Sequence, residues 1–234
     1  MAKKINWNGK EINELLVNGN AKIGKNVYHF STLPTCENGG TCFYTCEGGY
    51  CTKGNYNFKS VKAALALRTE IVRNDLQFFI NEITREIVLH KIQFVRIHAT
   101  GDFFSGEYTN AWFEIASKCP NTKFWTYTKS FGHGFDNELN KLNGLPNVNI
   151  VESIVPGCGF NFGHADYILD TYYKLVSNGE TPYICKCGID DSVHCNDCHK
   201  CSENKFVLFV EHSTGYKVET DPKYNELVNL VNNQ

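Results

Sequence analysis

The sequence predicts an α/β protein, a partial (βα) barrel with parallel strands and a small cysteine-rich metal-binding insert near the C-terminus. Three observations carry that expectation. Short runs of β-branched and aromatic residues alternate with stretches of helical periodicity through the middle of the chain, the pattern of parallel strands joined by right-handed crossovers. The 234 residues are 42% apolar and 21% charged with a formal charge of −2, a globular composition without a net electrostatic drive toward nucleic acid or membranes. Eleven cysteines are present, and nine fall into two clusters: Cys36, Cys42, Cys46 and Cys51, then Cys185, Cys187, Cys195, Cys198 and Cys201.

Taken in order, residues 1–26 read as a polar lead-in with one apolar patch, Ile12 to Val17. The barrel core is expected over 27–180, with a cysteine loop at 36–51. Val27 to Ser31 reads as a strand that stops at Leu33-Pro34. From Ser60, Val61, Ala64, Leu65, Val72, Leu76, Phe79, Ile80, Ile83 and Ile87 recur at helical spacing without Gly or Pro, giving one long helix or two nearly collinear ones. Phe94 to Ala99 is a strand running into Thr100-Gly101-Asp102, followed by an amphipathic helix from Glu107 to Lys118. Lys123 to Thr128 is a strand, Phe135 to Leu142 a short helix, Val148 to Val155 a strand and Tyr167 to Val176 a helix. The metal insert is expected over 181–204, and 205–234 supplies a last strand, Phe206 to Glu211, and a helix capped by Asp221 with Pro222 in its first turn.

In such folds function collects where the strands end. His98, Asp102, Thr128, Lys129, Glu152 and Ser153 fall at or near those ends, as does the first cysteine loop. The chain shows no apolar run long enough to span a membrane and no apolar stretch behind its first lysines, so it reads as cytosolic. In that compartment thiols stay reduced, and metal ligation becomes the leading use for clustered cysteines.

Cys195-Asn196-Asp197-Cys198-His199-Lys200-Cys201 spaces three thiolates so that one tight loop wraps a single centre, with Cys187 or Cys185 as the fourth ligand. Four thiolates suit structural Zn²⁺ or an iron–sulfur cluster equally, and His194 or His199 can replace one of them in a zinc site. The first cluster is looser in spacing, and its informative feature is its place directly after the first core strand. Cys119, beside Pro120, reads as a small buried hydrophobe; Cys158 lies in a loop. His29, His90, His133 and His164 lack a ligand-spaced partner and read as structural or surface residues.

Gly24-Lys25-Asn26, Phe30-Ser31-Thr32-Leu33-Pro34-Thr35-Cys36 and Lys53 through Val61 resemble the opening of the phage family Gene product 88. His98 through Ser105, with Tyr108, Trp112, Pro120 and Phe124 through Ser130, resembles its second signature, and the cysteine insert followed by Phe206 through His212 its third. The likeness runs from about residue 20 to residue 213. That layout is similar to the radical S-adenosylmethionine enzymes, which place a cysteine loop after the first barrel strand and a Gly-Gly-Glu-like stretch after the second.

The resemblance implies that three of Cys36, Cys42, Cys46 and Cys51 hold a [4Fe–4S] cluster whose open iron binds S-adenosylmethionine. Thr100, Gly101 and Asp102 would then receive the methionine amino group, and Asp102 and Lys129 would act at the reacting centre. The residues alone give Lys129 and Glu152, with Ser153 beside them, two readings, groups that fix a carboxylate or ribose hydroxyl or members of ordinary strand-end ion pairs. The radical-enzyme spacing is Cys-x3-Cys-x2-Cys; Cys42-x3-Cys46 fits it, Gly49 stands at the third position, and Cys51 falls two residues later. The residues alone give Asp102 two readings, an ammonium partner beside a permissive glycine or a turn or N-cap aspartate.

Three functions follow. The first is an iron–sulfur enzyme of the radical type acting on a nucleotide or a protein side chain. The second is a zinc-stabilised base-exchange or glycosyl-transfer enzyme, similar in layout to the tRNA-guanine transglycosylases, with Asp102 as nucleophile or base and His212 as a further candidate zinc ligand. The third is a non-enzymatic single-strand nucleic-acid platform built on Phe43, Tyr44, Tyr50, Tyr56 and Phe58 beside Lys53 and Lys59.

Overall fold

The computed structural model describes residues 4–19, 23–33, 54–155, 157–190, 192–211 and 218–234. The chain forms two compact units, the first made of residues 1–20 and 25–150, the second of 21–24 and 151–234. The division therefore falls inside the stretch expected to be one core over 27–180.

In the first unit, β1 (Lys4–Trp7) and β2 (Lys10–Asn13) form an antiparallel hairpin turning at Asn8-Gly9. The first residues are thus more than a polar lead-in. Trp7, Ile12, Leu15 and Leu16 are buried in the unit's hydrophobic core, and the indole of Trp7 donates to Asp75 Oδ2 at 3.2 Å. The strands β3 (Val17–Asn18), β4 (Val27–His29), β5 (Phe94–Arg96), β6 (Lys123–Thr128) and β7 (Val148–Glu152) follow one another in a five-stranded sheet in that order. The pairings β4–β5 and β5–β6 are parallel and β3 is antiparallel at the edge. Sequential parallel strands joined by helices are what the alternating pattern called for. The sheet is open, and among the described residues it does not close into a barrel.

The long periodic stretch is two helices, α1 (Lys59–Asn74) and α2 (Leu76–His90). Asp75 breaks the run: its backbone leaves the helical region, and its Oδ1 accepts from Phe78 N at 3.0 Å as the N-cap of α2. Helix α3 (Gly106–Lys118) is capped in the same way, Ser105 Oγ accepting from Tyr108 N, and α4 (Asp136–Asn143) precedes β7. Phe30, Phe79, Trp112 and Tyr108 form the centre of the core, with Phe79 and Trp112 edge to face at 5.2 Å between ring centroids. Glu86 is also buried there, and its carboxylate accepts from Leu15 N at 2.6 Å and Leu16 N at 2.7 Å, tying the segment after the hairpin to α2. Cys119 is buried in this core, as a small hydrophobe would be.

The second unit contains the antiparallel pair β8 (Ile154–Val155) and β9 (Gly159–Phe160), and then β10 (Phe162–Gly163), α5 (Ala165–Ser177) and β11 (Tyr183–Ile184). The short helix α6 (Cys195–Cys198), β12 (Val207–Val210) and α7 (Tyr224–Asn232) complete it. A central β12 pairs in parallel with β10 on one side and β11 on the other, and α5 and α7 contribute Ile168, Leu169, Leu227 and Val231 to its core. The last helix starts later than expected. Asp221 Oδ1 accepts from Lys223 N, so Asp221 and Pro222 make the turn ahead of the helix rather than its cap and first residue. No helix among the described residues is long and apolar enough to cross a membrane.

Candidate functional site

The parallel register aligns His29 on β4 with Arg96 on β5, and hydrogen bonding between the two segments continues beyond the strands. Ala99 N donates to Phe30 O at 3.1 Å and Thr32 N to Thr100 O at 3.1 Å. Ser31, Thr32, His98, Thr100, Asp102, Thr128 and Ser130 are all buried at the ends of β4, β5 and β6. Buried polar side chains gather there because the strand ends leave backbone groups that only such side chains can satisfy.

Gly101 sits at φ +89°, a conformation L side chains rarely adopt, and a Cβ there would lie 2.0 Å from Thr32 Oγ1 and 3.2 Å from the Leu33 carbonyl oxygen. Only glycine lets the two turns touch. The contact falls on the residues that lead directly into Pro34-Thr35-Cys36. Leu33 N is held in turn by Thr69 Oγ1 of α1 at 2.9 Å. Cys36, Cys42, Cys46 and Cys51 lie outside the described residues, as do Phe43, Tyr44, Tyr50 and Lys53 of the proposed stacking platform and His212. Of that platform's described members, Phe58 is exposed and Tyr56 half-buried.

Asp102 has its carboxylate turned into the protein. Oδ1 accepts from Phe103 N at 2.8 Å and Thr128 Oγ1 at 2.6 Å, and Oδ2 accepts from Lys129 N at 3.0 Å. Burial pushes its pKa up, while these donors pull the other way. With both oxygens occupied, Asp102 clamps the end of β5 to the end of β6. The N-cap of α3 is Ser105, not Asp102. Thr128 extends the network by accepting from Ser130 N at 3.0 Å, and Ser130 Oγ donates to Phe103 O at 3.0 Å. Lys129 joins this site through its backbone N–H. Glu152 and Ser153 belong to the second unit, where Ser153 O accepts from Asn161 N at 3.3 Å.

Two histidines at these strand ends are held neutral. His98 is 3% exposed at φ +60°, its Nε2 lies 2.8 Å from the Tyr108 hydroxyl, and its Nδ1 is buried without a hydrogen-bond partner among the described residues. Burial, with Arg96 adding to it, lowers its pKa to about 3. His29 falls to about 4 for the same first reason, with Arg96 and Arg68 nearby. Sequence reading placed His98 at a strand end but passed over Arg96 and set His29 aside. Strand alternation was the available signal, since His29 and Arg96 align across the sheet and share one face.

In the second unit, the segment carrying the later cysteines lies between β11 and β12. Cys185 is buried and its N–H donates to Leu208 O at 2.8 Å, anchoring the segment to the sheet. The Cys187 thiol hydrogen-bonds with those of Cys185 and Cys195; the Cys185 contact is the largest cause pushing its pKa up to about 12, and the Cys195 contact pulls the other way. The Tyr183 hydroxyl is 3.4 Å from Cys198 Sγ, and Cys185 and Cys201 are close enough to act on it electrostatically. Cys185, Cys187 and Cys195 are thus in contact, Cys198 and Cys201 lie near Tyr183, and none of these five is disulfide-bonded. Among the described residues no group of three or more His, Cys, Asp or Glu side chains is placed to hold a metal ion.

The family model described as Gene product 88 matches residues 4–156, which is more than half of the chain. No curated protein and no solved structure matches.

Proposed function

The chain belongs to the phage family Gene product 88, and from that premise we propose that it is an iron–sulfur enzyme of the radical S-adenosylmethionine type, modifying a nucleotide or a protein side chain. The observation that carries this reading is the contact of Thr32 and Leu33 with Thr100 and Gly101, which sets the entrance to the first cysteine segment against the turn closing the next strand. Two neighbouring parallel strand ends, one leading into thiols and the other carrying a Gly-Asp turn, are the arrangement a cluster and its sulfonium ligand require. The open sheet, with its strands in sequential order, fits a partial barrel.

Three of Cys36, Cys42, Cys46 and Cys51 would hold the cluster, leaving one iron open. When bound and reduced, it supplies the electron for reductive cleavage of S-adenosylmethionine. Gly101 lets the segment that leads into the cysteines pack directly on the turn carrying Asp102. Asp102 acts as a positioning residue, holding Lys129 and Thr128 in register with the Gly101 turn. The later cysteines form a second centre from Cys195, Cys198, Cys201 and either Cys185 or Cys187, taking Zn²⁺ or a second cluster. Their mutual contacts support it, and a metal would draw them the remaining distance.

The test is iron, labile sulfide and zinc content on protein purified without oxygen, with absorption spectra before and after dithionite, followed by an assay for reductive cleavage of S-adenosylmethionine. A chromophore that bleaches on reduction, with about four to eight irons per chain, is expected. Colourless protein holding only zinc would overturn the proposal.

A further inference from the structure

We infer that Arg96, at the C-terminal end of β5, is the seat of an anion-binding site that receives a carboxylate or phosphate group of a bound molecule. The inference goes beyond the cofactor reading and needs only that the strand ends be a ligand site.

Arg96 is half-buried, and its Nε is fully buried with no hydrogen-bond partner among the described residues. Among the described residues it forms no ion pair; its guanidinium instead stacks over the Tyr127 ring at 5.3 Å. An arginine out of bulk water without a carboxylate is expensive, and proteins keep such a group where an anion will complete it. The ring below leaves the guanidinium edge, with its fork of donors, as the face that can take two oxygens at once. Among the described residues no carboxylate is paired with it. The two titratable side chains set against it, His29 on the paired position of β4 and His98 two residues along β5, are imidazoles that its field helps to keep uncharged.

The His98 ring packs instead on Phe103 and Tyr108 of the hydrophobic core. Among the described residues its Nδ1 has no partner, while its Nε2 is engaged with the Tyr108 hydroxyl. A carboxylate or a phosphate would satisfy the guanidinium alike, so the class of ligand is an oxyanion from either source.

Calorimetry on the full chain, purified without oxygen, tests this with two probes, inorganic pyrophosphate and S-adenosylmethionine. At least one probe is expected to bind the native protein, and Arg96→Gln to weaken it roughly 10- to 100-fold, the loss of a bidentate charge-assisted contact. Arg96→Lys keeps the charge but not the fork, and should weaken the same probe by roughly 3- to 10-fold; it also serves if Arg96→Gln does not fold. Sensitivity of pyrophosphate alone assigns the site to a phosphate-bearing substrate. Sensitivity of S-adenosylmethionine, lost when its decarboxylated analogue is used, assigns it to the cofactor's carboxylate. If pyrophosphate binds and S-adenosylmethionine does not, the anion site stands and the cofactor reading falls. Binding of both probes unchanged in both variants, or of neither to the native protein, would sink the anion site.

Discussion

A Cβ on Gly101 would stand 2.0 Å from Thr32 Oγ1. The turn that ends β5 and the segment leaving β4 therefore meet at a point where one side chain's worth of space is already taken. Gly101→Ala is expected to cost about 2 kcal/mol or more, from left-handed strain and overlap together. Thr32→Ala should recover part of that loss in the double variant, because it removes the nearer atom and leaves the strain. Urea midpoints of the four proteins check it, and strict additivity would show that the two turns do not press on each other.

Asp102 separates a structural from a chemical role. Its two oxygens accept three hydrogen bonds, and an asparagine in its place would turn an NH₂ toward groups that are themselves donors. Asp102→Asn is expected to lower stability by about 1–3 kcal/mol and to broaden or shift the Lys129 amide signal. A variant that melts like the native protein and loses only turnover would return Asp102 to the catalytic part the sequence first gave it.

The strand and helix pattern was legible because each core element follows one period. Lys123–Thr128 falls where alternation put it, and the helix carrying Trp112 and Ile115 begins within one residue of expectation. The hairpin at Lys4–Trp7 was hidden, since its strands are polar on one side and only Trp7, Ile5 and Ile12 mark the other. The break at Asp75 was hidden too, because an N-cap inside a continuous apolar period looks like one more polar position. At the site, chemistry-bearing residue types announced themselves, as Asp102 and the cysteines did. Orientation did not. That Asp102 faces inward while Arg96 stacks over Tyr127 depends on strand register and on which side chains reach across it.

Trp7 and Asp75 join the hairpin to the start of α2. Asp75→Ala removes the cap on Phe78 N and the partner of the Trp7 indole together, and is expected to cost about 1–2 kcal/mol in denaturant unfolding. Trp7→Phe breaks only the second contact and should cost less than the loss of Asp75 if the cap matters. An equal loss in both would assign the whole effect to the indole.

The Cys187 thiol lies within hydrogen-bonding reach of Cys185 and Cys195, and Cys198 stands beside Tyr183. If these thiols hold a structural metal, Cys195→Ser and Cys198→Ser should each remove one metal centre per chain and lower the melting temperature, while Cys158→Ser changes neither. Metal analysis beside thermal melts reads both. Full metal content in the first two variants would show that ligation does not use them.

Glu86 gives a pH dependence with a definite sign. Burial pushes its pKa from about 4.5 up to about 8, against the pull of the Leu15 and Leu16 amides that it accepts from. In the folded chain the proton is held more tightly than in the unfolded one, so the contribution of this group is fully present below about pH 4.5 and is lost as pH rises toward 8. Native stability, corrected for the remaining groups by comparison with Glu86→Gln, should therefore fall across that window, and the difference between the two proteins should be flat outside it. Urea midpoints at half-unit pH steps measure this. A difference that grows as pH rises would mean that the paired amides outweigh burial and that the latch between α2 and the segment after the hairpin is held by an ionised carboxylate.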